Sequence, residues 1–266
     1  MSNKNIHIFI DPGLHLPKEH GFSVIFLCSI LIGIILSFKY PINYIGILLS
    51  LILGLIILLS NKSVTLLVKT RFRNIHLIPL VLIALFGIIL LAYNFSLNNI
   101  LVFSVTGFFF IVWMALNFFN KGHTTEELVI GSMTLTLFVP LIFLNAINYD
   151  YNQNYIFLWI FLIYWLVTGF TTQLILYVQY IRKILSLEDF SFIWLCFLVS
   201  LIPFYFYLLL NIKTILVLIE PTIFVLWLYL TKPELPDKPV FKKIGRILSV
   251  RLLIYVLILS FVIFVL

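Results

Sequence analysis

The sequence predicts an all-α protein, a polytopic transmembrane helical bundle of about nine spans forming one integral membrane domain over residues 1–266. Three observations predict it. The first is composition: of 266 residues, 63% are hydrophobic and 10% are charged, against roughly 25% charged in a soluble domain. The second is the length of the apolar runs. A hydrocarbon core of about 30 Å needs about 17–25 apolar residues in a helix, and lipid offers open backbone groups nothing to bond, so the runs must be helices. The third is the placement of charge: of 17 Lys and Arg residues, 15 fall in the N-terminal tail and in alternate connections between runs.

The expected spans are 22–38, 42–60, 77–93, 98–118, 128–147, 155–177, 192–210, 213–230 and 250–266. The run from Phe22 ends at Lys39-Tyr40-Pro41 without a small-x-small cleavage site, so it is read as a permanent first span rather than a removable leader. The fourth and fifth spans are separated by FNKGHTTEE. The seventh and eighth are joined only through Asn211 and Ile212, which implies a tight hairpin. No internal repeat is visible. Cys28 and Cys196 lie in apolar runs without partners at metal or redox spacing and are expected to be packing residues. No metal and no cofactor is predicted.

Charge sets the expected orientation. The tail (residues 1–21) and the second, fourth, sixth and eighth connections hold the 15 basic residues, and only Lys39 and Lys213 fall on the other side. The positive-inside rule then places the N-terminus in the cytoplasm and, with nine spans, the C-terminus outside a bacterial cytoplasmic (inner) membrane. The net charge of +7 is scattered over short connections. It is therefore read as an orientation signal, with membrane lipids as partners and no nucleic acid. All five histidines, including His20 and His123, lie on the expected cytoplasmic side.

Several polar clusters stand out. LPKEHGFS (16–23) reads first as a helix start, with Pro17 at the first turn and Glu19 favouring the positive helix end. That leaves His20 and Gly21 unexplained, a titratable group beside a flexible backbone at the membrane boundary. HTTEE (123–127) contains a Thr124–Glu127 capping box, and its functional reading puts Glu126 or Glu127 in a cytoplasmic pocket with His123. TTQLILYVQYIRK (171–183) is more polar than a lipid-facing helix end, and Gln173, Tyr177, Tyr180 and Arg182 are read as one broad face. Glu220-Pro221 sits deep in the eighth span, where an ionisable residue is a functional hypothesis by default. No cation is expected at its depth, so Glu220 is expected to be neutral and hydrogen bonded to a neighbouring helix. PVFKKIGRILS (239–249) is read as a basic amphipathic helix lying on lipid ahead of the last span.

Three of these stretches carry a resemblance. PKEHGFS resembles the Pro-Lys-(Glu or Gln)-His-Gly-Ala-Trp motif of the YwiC-like family of bacterial membrane proteins, departing from it at Phe22-Ser23. LYVQYIRK resembles that family's Tyr-Val-x-x-x-Ile-Arg segment, and KKIG (242–245) its Lys-x-x-Gly before the last helix. The matches run from residue 17 to residue 245. The resemblance implies no particular activity, but it gives His20, Tyr177 and Arg182 weight beyond packing.

The leading functional expectation is a membrane-embedded transferase, similar in layout to UbiA-type prenyltransferases, acting on a lipidic or anionic-headed substrate from a cytoplasm-facing pocket. His20, Glu126, Glu127 and Tyr177 are its candidate catalytic residues. The connection NKSVTLLVKTRFRNIH has no acidic residue, which argues against a two-site Mg²⁺ clamp. Lys18, Arg71, Arg73 and Arg182 would hold an anionic head group instead. The rival reading is a permease or proton-coupled transporter using Glu220 and Gln173 at the midplane. A third is a non-catalytic membrane partner or assembly factor.

Overall fold

A computed structural model describes residues 20–69, 77–120, 124–147, 154–203, 212–233 and 241–264. The helices in it are α1 (His20–Ser37), α2 (Tyr44–Lys69), α3 (Leu77–Tyr93), α4 (Leu97–Asn120), α5 (Thr125–Thr136), α6 (Phe138–Ala146), α7 (Asn154–Ile181), α8 (Leu187–Ser200), α9 (Ile212–Thr231) and α10 (Phe241–Phe264). No strand occurs among the described residues; one isolated bridge pairs Ile42 with Ile147. Four described segments are long and apolar enough to cross a membrane: Leu97–Leu116, Thr125–Ala146, Leu158–Ile181 and Ile244–Val262.

The centre of the bundle is α6, whose nine residues are all buried. It packs against α1, α2, α4 and α7. Together α5 and α6 occupy the expected fifth span, but the structure breaks it at Leu137. Pro140 is the cause: it has no amide hydrogen for the Thr136 carbonyl, and its ring crowds that carbonyl. The break is tolerated because Pro140 falls in the first turn of α6, where the missing donor matters least. The Thr136 hydroxyl meets Thr168 on α7 at 2.6 Å. Trp165 on α7 likewise donates to Ser200 on α8 at 2.8 Å. Such polar contacts join helices where lipid supplies little driving force for association.

Helix ends follow local chemistry. Thr124 caps α5, accepting from the Glu127 amide at 3.3 Å, which is the forward half of the expected capping box. Ser186 and Asp189 form a complete capping box at the start of α8. α7 ends in a Schellman turn: Lys183 adopts φ 59°, its amide donates to Tyr180, and the Ile184 amide reaches back to Gln179. The last helix differs from expectation. Residues 241–249, expected to form a separate surface helix, run without a break into 250–264 as α10. The charges at Lys242, Lys243, Arg246 and Arg251 interrupt the apolar run but not the helix. Cys28 is buried in the core as expected, whereas Cys196 is exposed, on the same face of α8 as Phe192 and Val199.

An asparagine cluster ties one end of the bundle. The Asn43 amide donates to Ala146 O at 2.7 Å, and its side-chain oxygen accepts from the Gly46 amide (3.0 Å) and Tyr93 hydroxyl (3.1 Å). Asn94 donates to Leu144 O at 2.9 Å, and Asn99 to Asn94 O at 2.8 Å. Here α2 comes so close to α6 that a Cβ on Gly46 would overlap the backbone carbonyl of Asn145. A backbone carbonyl cannot rotate away, so Gly46→Ala is expected to lower stability by about 2 kcal/mol. Gly107→Ala, whose Cβ would meet nothing within 4 Å inside α4, is expected to keep stability or raise it by up to about 1 kcal/mol. Thermal unfolding of the two variants in detergent checks the contrast.

Candidate functional site: a charged cluster between α7, α9 and α10

Glu220 lies 11 residues before the end of α9, and Arg251 lies 10 residues after the start of α10. At about 1.5 Å per residue, both sit about 15–17 Å along antiparallel neighbours. They meet there. Arg251 directs two N–H groups at one carboxylate oxygen, Nη2 at 2.6 Å and Nε at 3.0 Å from Glu220 Oε1. Gln173 of α7 joins them: its Nε2 donates to Pro221 O at 2.7 Å, and its Oε1 is 3.5 Å from Arg251 Nη2. The structure thus overturns the expectation that no cation lies at the depth of Glu220. A guanidinium is always charged, and it brings two donors to one oxygen of the Glu220 side chain.

Aromatic rings enclose the cation. The Arg251 guanidinium stands 3.8 Å above the centre of the Phe224 ring and 5.6 Å from that of Phe170. Behind them, Tyr255 stacks on Phe170 at 4.0 Å and 7°, and its hydroxyl donates to Leu166 O at 3.2 Å. Tyr177 meets Phe224 edge-on at 5.1 Å. Cation–π contact of this kind is worth about 2 kcal/mol when desolvated. The pair is not saturated. Glu220 Oε2 and Arg251 Nη1 are both buried without a hydrogen-bond partner among the described residues. The side chains as wholes are 39% and 15% accessible respectively, so it is these two atoms that are enclosed.

The other candidates fall elsewhere. Glu126 lines a separate cavity of about 660 Å³, with Thr124, Thr125, Thr172, Leu176 and Ile193. Glu127 is buried. Gln179, on the same stripe of α7 as Thr172 and Leu176, is fully buried with neither amide atom bonded among the described residues. Arg182 is exposed. Its expected place on the Gln173 face fails on helical geometry, because nine residues at about 100° each turn it to the opposite side. Tyr180 is buried against Phe190 and Trp194. His20 opens α1; Lys18, Arg71, Arg73 and His123 lie outside the described residues. Among the described residues no group of three or more His, Cys, Asp and Glu is placed to hold a metal ion.

The structure therefore collects Gln173, Tyr177 and Glu220 around Arg251, a residue the sequence reading had placed in a surface connection. The signal was there: Arg251 lies near the middle of the apolar window Ile244–Val262, opposite the one carboxylate of the preceding helix. No family model, no curated protein and no solved structure matches the chain.

Breaking a buried ion pair by removing one partner costs about 3–5 kcal/mol, whereas replacing both with apolar residues is often neutral. Glu220 is partly accessible, so the smaller end applies here. Glu220→Gln, Glu220→Leu and Arg251→Leu are each expected to lower stability by about 2–3 kcal/mol, and the Glu220→Leu/Arg251→Leu double variant to recover most of the loss. Thermal unfolding of the set in detergent reads the coupling.

Proposed function

We propose that the chain is a multi-pass protein of the bacterial cytoplasmic membrane that acts as a permease, with Glu220 as its proton-coupling group. The reading takes about nine spans, a cytoplasmic N-terminus and an external C-terminus. Moving Arg251 from the connections into a helix leaves 14 basic residues on the cytoplasmic side against 2 outside, so the orientation argument keeps its force. Resemblance to YwiC-like membrane proteins agrees with this placement, since all three matching stretches fall on the cytoplasmic side.

The observation that carries the permease reading is the unsaturated Glu220–Arg251 pair about halfway along α9 and α10. Intramembrane ionisable pairs are expensive and mark ion or substrate paths. With Glu220 ionised, Arg251 is held between α9 and α10. A proton arriving at Glu220 removes the negative charge and frees two guanidinium donors, which weakens the link between the helices. Proton occupancy would thus bias two arrangements of α9 and α10. Gln173 stays on Pro221 O and fixes α9 to α7 in both.

A second reading is favoured by one observation, the 660 Å³ cavity beside Glu126 at the end that the basic connections mark as cytoplasmic. It supports a membrane-embedded transferase with a UbiA-like layout, Glu126 serving as an acid or base, and Lys18, Arg71, Arg73 and Arg182 holding an anionic head group.

Proteoliposomes loaded with a pH-sensitive dye and challenged with a panel of small solutes separate the two. A permease gives solute-dependent proton influx in the wild type that is absent in Glu220→Gln; influx undiminished in Glu220→Gln would rule out Glu220 as the coupling group. A transferase gives no influx with any solute and retains a lipid product on native mass spectrometry. Orientation is tested separately: reporter fusions after Lys121 and Arg182 should read cytoplasm, and one after Asp150 outside. A cytoplasmic signal at Asp150 would contradict the span count.

A further inference from the structure

A second cavity, remote from the charged cluster, is of a different kind. It measures about 370 Å³ and lies between α2, α3, α4, α5 and α6. Protein interiors hold few voids larger than a water molecule. An engineered apolar cavity of about 150 Å³ already stays dry and binds benzene, and this one is more than twice as large. The lining is almost entirely hydrocarbon. Its polar side-chain groups are few: the Trp113 indole N–H beside Gly131, and two hydroxyls committed to their own helices, Thr106 donating to Val102 O at 2.7 Å and Thr134 to Ile130 O at 2.9 Å. An occupant therefore needs apolar surface and no hydrogen-bonding groups within the cavity.

The space is built by backbone rather than left by loose packing. Gly87, Gly107 and Gly131 line it from three helices. A Cβ on Gly107 would meet nothing within 4 Å, and one on Gly87 only Phe103 at 3.7 Å. At Gly131 the indole of Trp113 closes the wall, 3.0 Å from where a Cβ would stand. Side chains at Gly87 and Gly107 would fill the cavity without backbone movement, and each would be a better helix former than glycine. The mouth lies along α3, where Ala84 and Ile88 line the cavity yet are exposed, Ile88 by 65%. In a membrane that opening faces acyl chains.

We infer that this cavity is a binding site for a single hydrocarbon chain, entering between α3 and α4 from the bilayer. The chain fills a volume that would otherwise forfeit contacts on every side. It belongs to a membrane phospholipid or to an isoprenoid, and the lining recognises the hydrocarbon common to both. The inference rests on the membrane reading and is independent of whether the protein is a permease or a transferase.

The test uses the full chain in detergent micelles, titrated with dibromostearic acid, whose bromines quench tryptophan on contact. The expected result is a saturable quenching phase in the wild type that is lost in Trp113→Phe and weakened at least tenfold in Gly107→Leu. Gly87→Leu serves as a second filling variant should Gly107→Leu fail to fold, and thermal unfolding confirms the fold of each. Displacement of the bromolipid by a phospholipid identifies an acyl chain; displacement by geranylgeraniol identifies an isoprenoid. Equal quenching in wild type and folded filling variants, or no saturable phase, would overturn the inference. Release of the chain from membranes by alkaline carbonate would instead overturn the membrane reading on which it rests.

Discussion

The Arg251–Glu220 ion pair constrains the C-terminal part of the bundle. Neither charge is stable alone among apolar side chains, so α9 and α10 must bring them to the same depth. Gln173 then couples that depth to α7 through the Pro221 carbonyl. Since α7 also packs on α5 and α6, the register set by one charged pair extends to the centre of the fold. The aromatic enclosure follows from the same demand. Phe170 and Phe224 cover the guanidinium faces that no carboxylate reaches, and Tyr255 and Tyr177 hold those rings in place.

At the other end the chain uses uncharged polar groups. Asn43, Asn94 and Asn99 satisfy backbone carbonyls where α1 turns into α2 and α3 into α4. They do so without desolvating a charge, and Gly46 lets the backbones touch. Polar uncharged clusters fix register and hold no ionisable group, whereas the ion pair does. That contrast is the physical reason for placing function at Glu220 rather than among the asparagines.

Much of the helical layout was legible because lipid imposes a length and a polarity on every span. The start of α5 was also readable from Thr124, since caps are local. Less legible was anything that depends on rotation or on partners distant in sequence. The break at Leu137 needed the pairing of Pro140 with the Thr136 carbonyl to be noticed inside an apolar run. Arg251 was counted with the eighth connection, although it falls inside the expected span 250–266 and its partner lay 31 residues earlier at matched depth. Tyr177 was expected in one cavity with Glu126, yet the ring it meets is Phe224 and the cavity beside Glu126 does not include it. Arg182 was grouped with Gln173, Tyr177 and Tyr180 on one broad face, and helical rotation puts it on the side opposite Gln173.

The central claim is that Glu220 and Arg251 are paired within the apolar part of the bundle. Infrared difference spectroscopy between wild type and Glu220→Gln, in lipid at neutral pH, reads this directly. The account predicts that the wild type contributes carboxylate stretching bands that vanish in the variant, and that these bands shift in Arg251→Leu. A protonated carboxyl carbonyl band in the wild type, unchanged by Arg251→Leu, would contradict it.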